Sequence, residues 1–310
     1  MSDIIANFAP IAVFAYKRPH HIVQLLQSLK ACPEHAHSPI TIYCDGPRSE
    51  ADMDLVHKTR MAIKEYAPAH AVIIEREQNL GLADSIITGV TENCYQYGRV
   101  IVLEDDLDLS PYALDYFNRA LNQYQHDEKV MHIAGYMFPV DKSGLPESFF
   151  YREMSCWGWA TWQRAWQHFE PDAEKSLALI EADPQKAKEF NIDNSTDYVG
   201  MLKAHIHGVI NSWAVRWYAS AFLRGGLALH AREPFTSNTG NDGTGEHCTV
   251  TSVYDVYVRK HAFNDQWPPH SVLNKKAFRR IRDFWQDQRA QPDTIRRITR
   301  KIRIMWERIV

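Results

Sequence analysis

The sequence predicts an α/β fold: a mixed, mainly parallel sheet with helices on both faces, followed by a basic helical tail. Three observations point there. Four short apolar runs, at 11–15, 40–44, 71–74 and 100–103, alternate with helix-length segments over the first hundred residues. The first of those segments places Ile22, Leu25, Leu26 and Leu29 at i, i+3, i+4 and i+7, one face of a helix. From Lys275 onward, apolar residues are set among twelve Lys and Arg against four Asp and Glu. Strands joined by crossover helices lie parallel, with helices covering the sheet.

The elements follow in order. Ile11-Ala12-Val13-Phe14-Ala15 reads as a buried strand, broken by Tyr16-Lys17-Arg18-Pro19. Ile40-Thr41-Ile42-Tyr43-Cys44 is a second strand, ended by Asp45-Gly46-Pro47. A helical stretch from about residue 50 to 66 leads to Ala71-Val72-Ile73-Ile74, a third. Gln78-Asn79-Leu80-Gly81 is a turn, and a helix starts near Ser85. Val100-Ile101-Val102-Leu103 is the fourth strand, Ala113 to Tyr124 an amphipathic helix and Val130 to Ala134 a fifth strand. In such sheets ligands bind beyond the carboxyl ends of the strands. Arg18, Asp45, Asn79 and Glu104-Asp105-Asp106 each lie just past a strand end and are expected to converge on one crevice.

The texture then changes. Five of the nine tryptophans fall in Cys156–Trp162 and Trp213–Tyr218. Core packing and a wall for the C–H face of a sugar are both open to them. Asn238 to His247 is rich in Gly, Asn and Asp and reads as a flexible loop, a lid if it borders the site.

Composition sets the limits. With 45% hydrophobic residues in a chain of 310, a large packed core is expected, in a body over 1–270 (halves at about 9–135 and 136–270) and a tail over 271–310. No run of 18 apolar residues occurs, and the first residues lead into a strand without a basic segment, so neither a membrane span nor a signal peptide is expected. Five cysteines with no CxxC spacing argue against a zinc site and a disulfide framework, and for a cytoplasmic location. The net charge of −3 divides into +8 on the tail and −11 on the rest. An anionic surface is the partner such a tail invites. The stripe Ile295, Ile298, Ile302, Met305 and Ile309, with Trp306, fits a helix at the inner face of a membrane, or equally one packed on its own domain or a second subunit. Nucleic acid is not expected, since the charge is confined to the tail.

Glu104-Asp105-Asp106 is the stretch that carries chemistry. Three carboxylates at a strand end repel one another unless a positive group sits there. A divalent cation with oxygen ligands, sharing a phosphate, would serve. An acidic turn that merely stops the strand is the plainer reading of these residues alone. Their neighbours at the other strand ends favour the cation.

The order of Val13-Phe14-Ala15-Tyr16-Lys17-Arg18-Pro19, Tyr43-Cys44-Asp45-Gly46, Asn79-Leu80-Gly81 and Val102-Leu103-Glu104-Asp105-Asp106-Leu107 resembles a glycosyltransferase of the GT-A fold. It is most like N-acetylglucosaminyltransferase I and its bacterial relatives. Glu104 to Pro111 with Tyr116-Phe117 downstream is the most specific part. The resemblance covers about 9–165, weakens through 238–247 and is absent from the tail. It implies a nucleotide-sugar donor, UDP-linked by preference, a Mn²⁺ or Mg²⁺ ion, and inversion at the anomeric carbon. It further implies Arg18 near the phosphates, Asp45 on the uracil, Glu104 on sugar hydroxyls, Asp105 at the ribose and metal edge, and Asp106 as the metal ligand. With the basic tail, it points to a glycan or lipid-linked acceptor in bacterial surface polysaccharide synthesis.

One departure stands out. In that family the general base is an aspartate just after a tryptophan, and here Trp213 is followed by Ala214. Inversion still needs a proton acceptor. Asp242 and Glu246 are the substitutes, Asp197 a weaker one, while Arg216 and His247 are candidate partners for the diphosphate. Two other functions compete. A nucleotidyltransferase would carry an early Gly-rich loop, and no glycine lies between Val13 and Leu29. A glycan- or nucleotide-binding protein without turnover is compatible with Ala214.

Overall fold

A computed structural model describes residues 8–244 and 250–290. The first half alternates as expected: β1 (Ile11–Ala15), α1 (Pro19–Lys30), β2 (Ile40–Cys44), α2 (Met53–Tyr66), β3 (Val72–Glu75), α3 (Leu82–Tyr97) and β4 (Arg99–Glu104). A short β5 (Leu107–Leu109), α4 (Ala113–Gln123) and β6 (Val130–Ala134) follow. The second half contains β7 (Ser148–Tyr151), β8 (Trp159–Trp162), α5 (Gln163–Trp166), α6 (Ala173–Glu181), α7 (Pro184–Phe190), α8 (Tyr198–Ile206) and α9 (Trp213–Leu223). It closes with β9 (Leu227–Ala231), β10 (Thr236–Asn238) and α10 (Lys275–Ala290).

One eight-stranded sheet spans both halves, in the order β3-β2-β1-β4-β8-β6-β9-β7. Its β3-β2-β1-β4 part is wholly parallel, while β8 and β7 run antiparallel to their neighbours. The α/β architecture with a mixed sheet is therefore the one expected, with more antiparallel character in the second half. The chain leaves β1 outward to β2 and β3, then returns to β4 on the other side of β1. That reversal opens a crevice at the β1/β4 strand ends, the place where such sheets take ligands.

Alternation along β1 builds the two sides. Ile11, Val13 and Ala15 face the layer of α1, α2 and α4. Ala12 and Phe14 face α3 and, beyond it, the helices of the second half. Pro19 opens α1 at a position where its missing N–H costs nothing, and all four residues of the sequence pattern are buried. Most of the two aromatic segments resolves into core. β8 is a central strand, and Trp159, Trp166 and Trp217 pack as a cluster against α9.

The described part of the basic tail forms α10. Ala277 and Ile281 are fully buried, and Phe284 and Trp285 pack on the same core. This half of the tail lies on its own body. The stripe from Ile295 to Ile309 lies outside the described residues. No described helix is long and apolar enough to cross a membrane.

Candidate functional site

A cleft of about 400 Å³ opens at the carboxyl ends of β1, β2 and β4. Arg18, Asp45, Asn79, Glu104, Asp105 and Asp106 all line it, so the convergence expected from the sequence is what the fold produces. Tyr16, Lys17, Arg48, Ser85, Trp157, Asn211, Ser212 and Asn238 line it too. Tyr16 and Lys17 had a signal, as neighbours of Arg18 in the turn after β1. Asn211 and Ser212, in the turn before α9, had none.

The acidic end is built from short elements. β4 stops at Glu104, Asp105 and Asp106 turn, and β5 begins at Leu107. The Tyr16 N–H donates to Asp105 Oδ2 at 3.1 Å, and Arg18 reaches Asp106 Oδ2 at 2.7 Å and Asp105 Oδ1 at 3.5 Å. Burial first, then Asp106 and Asp105, holds the Glu104 carboxyl well above its usual range. Burial and then Asp106 push Asp105 up to about 7. One guanidinium thus faces three carboxylates and does not neutralise them.

That imbalance is a test of whether a cation fits, and it does in one form. Among the described residues no group of three or more His, Cys, Asp or Glu could hold a metal alone. A hard cation would therefore take an oxygen or two from Asp106 and its neighbours and complete its shell from phosphate and water.

The other strand ends are shaped by the same logic. Both Asp45 oxygens are engaged, accepting from Leu80 N–H at 3.0 Å and Gly81 N–H at 2.9 Å. Asn79 Nδ2 donates to Gly46 O at 2.8 Å. Asp45 and Asn79 thereby lock the turns after β2 and β3 into one floor, and Asp45 keeps lone pairs for a ligand. Tyr16 OH and Lys17 Nζ both bind Asp52, at 2.8 and 2.7 Å.

The Gly-rich loop is tied to the acidic turn. β10 pairs with β5, Thr239 donates N–H and Oγ1 to the Asp106 carbonyl at 2.7 and 2.9 Å, and Gly240 O accepts from Arg18 NH2 at 3.3 Å. The described part of the expected lid is thus pinned over the cluster.

Three expected roles meet different surroundings. Arg216 does not reach the cleft. Its guanidinium donates to Ser212 O at 3.1 Å, Asn211 Oδ1 at 3.4 Å and Pro171 O at 3.5 Å, bracing the start of α9. Asp242 does not line the cleft either. It accepts from Thr244 N–H and Oγ1 and faces His21 Nε2 at 3.3 Å. Burial raises its pKa, but those partners outweigh burial and hold it below its usual value. Asp197 caps α8 by accepting from Gly200 N–H. Glu246 and His247 lie outside the described residues.

No protein-family model matches the chain, and no curated protein sequence matches it. Solved structures do. A mannosyltransferase, PcManGT from Pyrobaculum calidifontis, in complex with GDP-Man and Mn²⁺, aligns at a TM-score of 0.37 and 10% identity over 70% of this chain and 71% of that one. A protein from Desulfovibrio desulfuricans G20, described by inference as a nucleotide-diphospho-sugar transferase, aligns at a TM-score of 0.33 and 14% identity over 53% of this chain and 67% of that one. Values this low describe the run of the chain and carry nothing about substrate. The narrower resemblance to N-acetylglucosaminyltransferase I rests on the motifs alone.

Proposed function

We propose that the chain is a glycosyltransferase that takes a sugar from a nucleotide-diphospho-sugar, with UDP-sugars as the first donors to test, and moves it to a glycan or lipid-linked glycan. The observation that carries this reading is the Glu104-Asp105-Asp106 turn, with Asp105 buried, its neighbours half-buried and too little positive charge beside them, at the point where the strand order reverses.

The roles follow from position. The floor made by Asp45, Asn79 and the 78–81 turn receives the nucleoside. Arg18 binds the diphosphate and accompanies its charge as it departs. Asp106, with Asp105 beside it, would hold a Mn²⁺ or Mg²⁺ ion, which when bound supplies Lewis-acid stabilisation of the leaving diphosphate. Glu104 accepts hydrogen bonds from hydroxyls of the transferred sugar. The acceptor lies against Trp157 and the start of α9. As its hydroxyl bonds to the anomeric carbon from the face opposite the diphosphate, the sugar–phosphate bond breaks and the diphosphate leaves with that electron pair. The hydroxyl proton passes to Glu246, the base candidate that the sequence leaves open. The wall of α8 and α9 shields that step from water.

The test is a donor panel with and without Mn²⁺, read by release of nucleoside diphosphate and by the anomeric configuration of the product. Asp106→Asn is expected to lower turnover by on the order of a hundredfold or more, the cost of losing a group aimed at developing charge, with the thermal midpoint retained. Undiminished turnover in that variant would sink the assignment. Pyrophosphate release from a nucleoside triphosphate and a sugar phosphate would favour nucleotidyl transfer instead.

A further inference from the structure

Five tryptophans lie in the two aromatic segments, and the fold gives four of them to the core. Trp159 and Trp217 are fully buried, and Trp162 and Trp213 nearly so. Trp157 and Trp213 both line the cleft, and of the five only Trp157 is half-buried rather than buried.

Its place along the cleft follows from strand register. β8 runs antiparallel to β4 with Val102 opposite Trp159, so the residues just before β8 come level with Glu104. The preceding residue reports the same proximity: burial, then the charges of Glu104 and Asp106, push the Cys156 thiol pKa up. β8 lies on the side of β4 away from β1. Neighbouring strands are about 4.8 Å apart. A donor laid across the ends of β2, β1 and β4 ends with its sugar at Glu104, and Trp157 is the next surface beyond.

The ring is fixed before any ligand arrives. Tyr136 meets it edge-to-face at 4.6 Å between centroids and Tyr254 at 5.5 Å. Thr236 Oγ1 donates to the Trp157 carbonyl at 2.5 Å. Gly158 follows with φ +77°, and a Cβ there would sit 2.6 Å from Thr236 Cγ2, so the turn that presents Trp157 tolerates only glycine. Tyr254 in turn contacts Trp285 of α10, which links the brace to the C-terminal helix. A pre-set aromatic face binds with little loss of side-chain freedom.

We propose that Trp157 is the platform on which the acceptor stacks: a pyranose whose axial C–H bonds make one apolar face, laid on the indole with its hydroxyl directed at the donor sugar. The inference rests on the glycosyltransferase reading and names the acceptor class for the same site, a sugar ring rather than a protein side chain or an acyclic alcohol.

Two measurements test it. In the first, ¹⁵N-labelled indole signals are followed while methyl β-glucopyranoside or methyl β-galactopyranoside is added in the presence of UDP, with Trp157→Phe identifying the Trp157 signal. A saturable shift of that signal with a pyranoside and none with sorbitol supports the platform. No shift, or an equal one with sorbitol, overturns it. In the second, Trp157→Leu is expected to raise the acceptor KM by on the order of tenfold, Trp157→Phe less, while UDP affinity by calorimetry stays unchanged. A KM within about twofold of wild type, or a parallel loss of UDP affinity, overturns it. If the wild type releases no UDP from any donor, the glycosyltransferase reading falls, and the titration still decides whether Trp157 takes a sugar ring.

Discussion

Asp106 shows how much of the site depends on one backbone position outside the motif. Its side chain pairs with Arg18, and its carbonyl is held by Thr239. Gly240 packs directly over its Oδ2. A Cβ at Gly240 would overlap that oxygen and lie 2.9 Å from Arg18 NH2. Gly240→Ala is therefore expected to displace the carboxylate. UDP affinity in the presence of Mn²⁺ should fall by about tenfold or more, the scale of disturbing one charge-assisted contact. Calorimetry reads it directly, and an unchanged affinity would remove Asp106 from the binding site. The acidic triplet was legible in the sequence because its three carboxylates are contiguous. The Gly240 contact was not, because it joins residues more than a hundred positions apart.

At the scale of elements, the first half of the sheet was legible and much of the second was not. Strands β1, β2 and β4 are buried on both faces, so they read as unbroken apolar runs bounded by turn residues. β7, β8 and β9 contain Phe, Trp and His, whose burial does not alternate and whose run lengths fit a helix as well as a strand. β5 and β10 are three residues each and exist by pairing with one another. The segment around Trp213 was expected to matter to the acceptor, and the structure adds how it is held. Ser212 caps α9 by accepting from Val215 N–H at 3.3 Å, and both Ser212 and Trp213 line the cleft. Ser212→Ala should cost about 1 kcal/mol of stability, the usual worth of a serine N-cap. Urea unfolding with an unchanged m-value would show it. A loss well below that would mean the Arg216 bonds to Ser212 and Asn211 already fix the start of α9 without the cap.

For the molecule as a whole, the second half is held by buried polar groups whose charge states are set by burial. His132 accepts from Trp217 Nε1 at Nδ1 and meets Ser155 O at Nε2, which fixes it as the neutral Nε2–H tautomer, and burial pulls its pKa down to about 3. Glu153 sits where β9, α8 and α10 meet. Its carbonyl accepts from His230, and its carboxyl receives Tyr198 OH and Trp285 Nε1. Burial pushes that carboxyl up to about 7, against the two hydrogen bonds that lower it. The signs are opposite. A histidine with a depressed pKa contributes stability that is present above its unfolded value and lost as pH falls through the folded one. A carboxyl with a raised pKa holds its proton in the folded state, so its contribution is complete below the unfolded value and lost as pH rises through about 7. Glu153→Gln keeps an acceptor for Tyr198 and cannot ionise. The stability of wild type relative to this variant should therefore fall between pH 5 and pH 8, by on the order of 3 kcal/mol if the whole difference in proton affinity is expressed. Taking the difference cancels every other titrating group, Glu104 and Asp105 included. Chemical denaturation of both proteins across that range measures it, and parallel profiles would mean that Glu153 is already ionised in the folded protein at pH 5. The same comparison with α10 destabilised at Trp285 locates the effect, because Trp285→Phe removes one of the two donors to the carboxylate. Losing a donor to the charged form should raise the Glu153 pKa further, so that the decline deepens and continues to higher pH, while its low-pH onset stays in place.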